Sequence, residues 1–151
     1  MILSFVESLI PPLAMIPGVK IGLANIVTVF LLYTLGVRAA GAVSLVRVLL
    51  SALLFGNVQS LIFSLPGAIL SFVVMIIAKH LLPFGTVGVS VLGAIAHNAG
   101  QIIAAVIVME TMGVAYYFVP LVVSGTLGGV FVGIVAATIT VRLKKILKME
   151  K

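Results

Sequence analysis

The chain contains no cysteine and no aspartate, and its only acids are Glu7, Glu110 and Glu150. Without cysteine there is no disulfide framework and no thiolate metal site. Charge is scarce as well: 8% of the 151 residues are charged, where a soluble domain carries about a quarter. So few charges cannot coat a water-facing surface of this size, so the solvent around most of the chain is lipid. No basic residue precedes the first apolar run, so no secretory signal peptide is expected. No P-loop, nucleophile triad or metal cluster is present, and a lone His97 flanked by amides is too little for catalysis.

What is abundant is apolar: 63% of residues are hydrophobic. The formal charge of +6 is local, since five of the nine basic residues lie in the tail RLKKILKMEK. That pattern is a membrane-topology signal and not a nucleic-acid footprint. A segment of about 20 apolar residues spans a bilayer. The sequence predicts a single integral membrane domain over 1–151, with spans at Val19–Leu35, Ala39–Phe55, Pro66–Leu82, Gly88–Met109 and Pro120–Val141, and a basic tail over 142–151. Between them lie Gly36-Val-Arg38, an uncharged loop over Gly56–Leu65, Pro83-Phe-Gly85 and Thr111-Met-Gly113. Pro66 and Pro120 suit the first turn of a helix, where a missing N–H costs nothing. Tyr116, Tyr117 and Phe118 suit an interfacial belt. Residues 1–13 are apolar but too short to cross about 30 Å, and are expected to be the outer part of an incomplete first helix. The basic tail, Arg38 and Lys79 mark the cytoplasmic side, with Lys20 the exception. The expected architecture is an all-α, six-helix transmembrane bundle in the cell membrane, its first helix truncated and both termini cytoplasmic.

Ionisable side chains inside a membrane are costly and face a bundle interior or a cavity. Arg47 and His97 are two such residues. On a helical wheel Ser90, Ala94, His97, Asn98 and Gln101 share one face, with Gly93, Gly100 and Ala104 beside it. Leu92, Ile95, Ile102, Ile103 and Val106 lie opposite, toward lipid, and Glu110 falls on their side at the helix end. Ser44, Arg47 and Ser51 form a stripe from which Leu45, Leu49 and Leu53 point away. Arg47 and Gln101 each lie nine residues from an outer helix end, about 13 Å in depth. Lys20 at the rim, Asn25, Arg47, Asn98, Gln101 and His97 therefore can converge on one outward pocket. Arginine suits two-point contact with a carboxylate or phosphate, so the expected ligand is small and anionic or polar. A structural alternative pairs Arg47 with Glu7 and uses the amides as links between helices. Gly125, Gly129, Gly133 and Ala137 recur every four residues, a spacing that lets another helix come close, more simply one of the same chain.

The stretches PPLAMIPGVKIGLANIVTVFLLY, RVLLSALLFG and GAIAHNAGQ, in that order, resemble the membrane family called heptaprenyl diphosphate synthase component I, or Gx transporters. That family looks related to the substrate-binding S components of energy-coupling factor (ECF) transporters. The resemblance implies a six-helix bundle of S-component type with an outward pocket. It places Pro17, Gly18, Lys20, Gly22 and Asn25 in the first motif, Arg47 in the second, and His97, Asn98 and Gln101 in the third. It implies a capping loop over 11–20, with Pro17 and Gly18 as its gate. Implied partners are membrane lipid, an ECF coupling protein with ATPases on other chains, or a soluble prenyl synthase. Prenyl synthases hold magnesium with aspartate-rich motifs, and this chain has no aspartate. It is therefore expected to bind no metal or cofactor and to act as a binding component or a non-catalytic accessory subunit, not as an enzyme.

Overall fold

The computed structural model describes residues 25–55 and 58–149, and these are helical apart from short connections. The order is α1 (Asn25–Thr34), α2 (Val37–Phe55), α3 (Val58–Leu81), α4 (Thr86–Met109), a 3-10 turn (Met112–Tyr117) and α5 (Phe118–Met149). Four stretches are long and apolar enough to cross a membrane: Val37–Leu54, Leu61–Leu81, Thr86–Met109 and Met112–Ile146. The chain is a multi-pass membrane protein. The described part contains five helices; the expected incomplete helix over 1–13 lies outside it.

The punctuation falls close to where the sequence puts it. α1 is terminated two residues past Thr34 by Gly36, whose φ of +92° only glycine adopts readily, and whose N–H reaches the Leu31 carbonyl. Glu110 ends α4 in the left-handed region, with φ at 50°. Two boundaries differ from expectation. Helix α3 begins at Val58, so residues 58–65 are helix and Pro66 stands inside it rather than in its first turn. Proline is tolerated within membrane helices because neighbouring helices can re-satisfy the freed backbone groups, and α4 lies against this point through Gly100. The basic tail also continues α5 as helix to Met149.

The helices close into a ring in the order α1, α2, α3, α4, α5 and back to α1, with α1 also touching α4. The α3–α4 and α4–α5 seams are the most extensive, and small residues make them so. A methyl group at Gly100 would stand 2.7 Å from Gly67 Cα, and one at Gly129 would stand 2.8 Å from Val91 Cα. Without hydrophobic drive between helices in lipid, such backbone approach supplies the packing. One core cluster contains Val29 and Leu32 of α1, Ala40 of α2, Met75 and Ala78 of α3, Val89 of α4, and Val132 and Ala136 of α5. These residues sit near the end of the bundle that carries Arg38, Lys79, Arg142, Lys144 and Lys145, here called the basic end. All five helices thus contribute to an apolar plug there. At the same end Lys79 Nζ donates to the Leu32 carbonyl at 2.5 Å and lies 5.1 Å from the centre of the Tyr33 ring. A cation on the last carbonyls of α1 complements the helix dipole and ties α1 to α3.

Candidate functional site

The candidate site is built on the half of the ring away from the plug. α2 touches α1 and α3, and the arc between those contacts carries Ser44, Arg47 and Ser51. Ser44 is buried and Arg47 and Ser51 are half-buried, while Leu45, Leu49 and Leu53 on the opposite arc are exposed. Arg47 Nη2 donates to Asn25 Oδ1 at 3.1 Å. The first and second sequence motifs therefore meet: Asn25 of α1 and Arg47 of α2 are 22 positions apart in the chain and in direct contact.

On α4 the polar face divides between two neighbours. The Asn98 side chain turns to α5, where Nδ2 donates to the Leu121 carbonyl at 2.6 Å. A methyl group at Gly125 would collide with that same nitrogen at 2.5 Å. His97 and Gln101 instead flank α3: a methyl at Gly67 would lie 2.9 Å from Gln101 Cγ and 3.2 Å from His97 Cε1. Ser90, His97 and Gln101 occupy the arc of α4 between its α3 and α5 seams, with exposed Ile103 and Ile107 on the outer side. Leu92, expected toward lipid, packs against the core cluster, because it sits beside Gly93, where Met75 of α3 crosses.

Contacts between helices set the depth of each residue. Gly41 of α2 meets the Phe72 ring of α3. From that level Arg47 is six residues up α2, about 9 Å, and Gly67 is five residues up α3, about 7.5 Å. Gly67 in turn touches His97 and Gln101. Asn25, Arg47, His97 and Gln101 therefore lie in one layer of the ring, with Asn98 at the same height in the α4–α5 seam. One turn nearer the plug, Thr28 (1% exposed) and Ser71 (2% exposed) hold hydroxyl oxygens with no hydrogen-bond partner. Buried polar atoms without partners are few in native proteins, and each calls for a reason. Both Arg47 and His97 make further interactions besides these. Lys20, Pro17, Gly18 and Glu7 lie outside the described residues. No cluster of metal-ligating side chains occurs among the described residues.

Gly125, Gly129 and Gly133 of α5 line the α4 seam, at Asn98, Val91 and Val87; Ala137 is half-buried one turn on. Sequence reasoning missed Thr28 and Ser71, since a hydroxyl on an apolar helix ordinarily bonds its own backbone and raises no signal.

A ring of apolar helices with a cation–amide layer above an apolar plug defines a class: multi-pass helical membrane proteins with polar residues in their interior. Within it, the chain belongs to the heptaprenyl diphosphate synthase component I family, whose model matches residues 1–139. No curated protein and no solved structure matches it.

Proposed function

We propose that this protein is a membrane-embedded binding component that holds a small anionic or polar metabolite in the layer formed by Asn25, Arg47, His97 and Gln101. The observation that carries the reading is the placement of Arg47. Its guanidinium is held by Asn25 at the depth of His97 and Gln101, above a plug to which every described helix contributes. An arginine at membrane depth costs about 3 kcal/mol on insertion scales, and an anion received in two-point contact offsets that cost. The hydroxyls of Thr28 and Ser71 are available to the same ligand. Lys20 would stand at the rim and Pro17–Gly18 at the gate, with the site opening away from the basic, cytoplasmic end. Asn98 belongs to the seam with α5 and not to the ligand set. In this reading the chain resembles an ECF S component and works with a coupling protein and ATPases on other chains.

The family description favours a second reading, in which the chain is the non-catalytic membrane partner of a soluble heptaprenyl diphosphate synthase. A diphosphate also suits the Arg47 layer, so both readings share the anion and differ in the partner. Mass spectrometry of small molecules retained in mild detergent tests them, with Arg47→Ala alongside. A water-soluble anion kept by the natural chain and lost, by tenfold or more, from a folded Arg47→Ala supports the binding component. A prenyl diphosphate lost in the same way, with a synthase co-purifying, supports the accessory subunit. Equal retention, or a variant that fails to fold, sinks both in favour of a purely structural Arg47.

A further inference from the structure

The seam between α2 and α3 differs from the other long seams. α3 is drawn onto α4 by the Gly67–Gly100 backbone contact, whereas α2 meets α3 through the Phe72 ring, which lies 3.0 Å from where a Gly41 methyl would be. A groove of about 130 Å3 is left between them, lined by Gly41, Leu45 and Val48 of α2 and by Ala68, Ile69 and Phe72 of α3. Its flanks face the bilayer: Leu45 is 49% exposed and Ile69 is 55% exposed. An apolar cavity of about 150 Å3 admits a benzene ring and stays dry. This groove therefore has room for a short run of one hydrocarbon chain.

The groove also has a charged end. Arg38, Gly41, Leu45 and Val48 fall at i, i+3, i+7 and i+10, one stripe of α2. Arg38 is exposed and stands three residues beyond Gly41, about 4.5 Å toward the basic end. His80, also exposed, marks the same end on α3. The only acid among the described residues, Glu110, is at the far end of the bundle. A guanidinium at the mouth of a lipid-facing apolar groove matches an amphiphile whose phosphate sits at the interface and whose chain runs inward.

We propose that the α2–α3 groove is a site for an anionic phospholipid, with one acyl chain between Leu45 and Ile69 and the phosphate on Arg38. At Val48 and Ala68 the groove reaches the depth of the Arg47 layer, but its flanks Leu45 and Ile69 face the bilayer, and the proposal does not depend on what that layer binds. Native mass spectrometry of the full chain tests it, in mild detergent supplemented with phosphatidylglycerol or, separately, with phosphatidylcholine of the same chains. The natural chain should retain phosphatidylglycerol in preference. Arg38→Gln, at an exposed position, should lower that retention roughly fivefold. Ala68→Phe, which places a ring in the groove, should lower retention of both lipids. Arg47→Ala should leave phosphatidylglycerol retention unchanged, which separates this site from the interior one. Equal retention of the two lipids by the natural chain, or no effect of Arg38→Gln, would overturn the proposal. Arg38→Gln decides alone if Ala68→Phe yields no folded protein.

Discussion

Arg47 and Asn98 are both polar residues inside a bilayer, yet their surroundings give them different work. Arg47 lies on the arc of α2 between its α1 and α3 contacts and donates to Asn25 on the neighbouring α1. Asn98 is committed to the Leu121 carbonyl, an oxygen that also accepts from Ser124 Oγ at 3.1 Å. A side-chain hydrogen bond between membrane helices contributes about 0.6 kcal/mol on average. Asn98→Ala should therefore lower stability by no more than about 1 kcal/mol, measured by thermal unfolding in detergent, and should leave ligand retention intact. Loss of the retained ligand in folded Asn98→Ala would return Asn98 to the binding set.

At the scale of elements, α4 organises the bundle because small residues bring it close to two neighbours, its own toward α3 and those of α5 toward it. Gly93 and Gly100 admit α3, while Val87, Val91 and Ala94 receive the glycines of α5. The close partner of Gly129 is backbone, Val91 Cα, and cannot move aside as a flexible side chain could. Gly129→Leu should force the α4–α5 seam apart and destabilise by about 1–3 kcal/mol or more, outweighing the roughly 1 kcal/mol that replacing a helical glycine otherwise contributes. Denaturant titration in detergent micelles measures this, and a neutral or stabilised variant would mean the seam is looser than its geometry. Helix α5 is 32 residues long, about 48 Å, against a hydrocarbon core of about 30 Å. Its last described side chains, Val141 to Ile146, are all exposed, so α5 outruns the bundle at the basic end.

For the whole molecule, the plug at one end and the polar layer toward the other imply one-sided access. The absence of cysteine makes this measurable, because any introduced thiol is the only one. With a membrane-impermeant maleimide on right-side-out vesicles, Glu110→Cys and Gln101→Cys should label and Lys145→Cys should not. Ala78→Cys, in the plug at 1% exposure, should label from neither side. Labelling of Lys145→Cys in intact vesicles would invert the orientation drawn from the positive-inside pattern. Labelling of Ala78→Cys would mean that the plug is open.

Much of this was legible in the residues. Length and hydropathy alone determine that the chain lives in lipid, and the glycine, proline and charge punctuation places most helix ends. Residue-by-residue periodicity put Arg47 with Ser44 and Ser51, and His97 with Gln101, because a helix of 3.6 residues per turn leaves little choice. Helical rise alone puts Arg47 and Gln101 at similar depth. What periodicity cannot supply is the identity of the neighbour on each face. A wheel puts Asn98 beside His97, but only the approach of Gly125 turns its amide toward α5. Pro66 looks like a helix start until Gly67 is seen against Gly100, where a neighbouring helix supports a helix that runs through it. The plug, the unpartnered hydroxyls of Thr28 and Ser71 and the groove beside Phe72 likewise exist only between helices, since each depends on which backbones come close enough to touch.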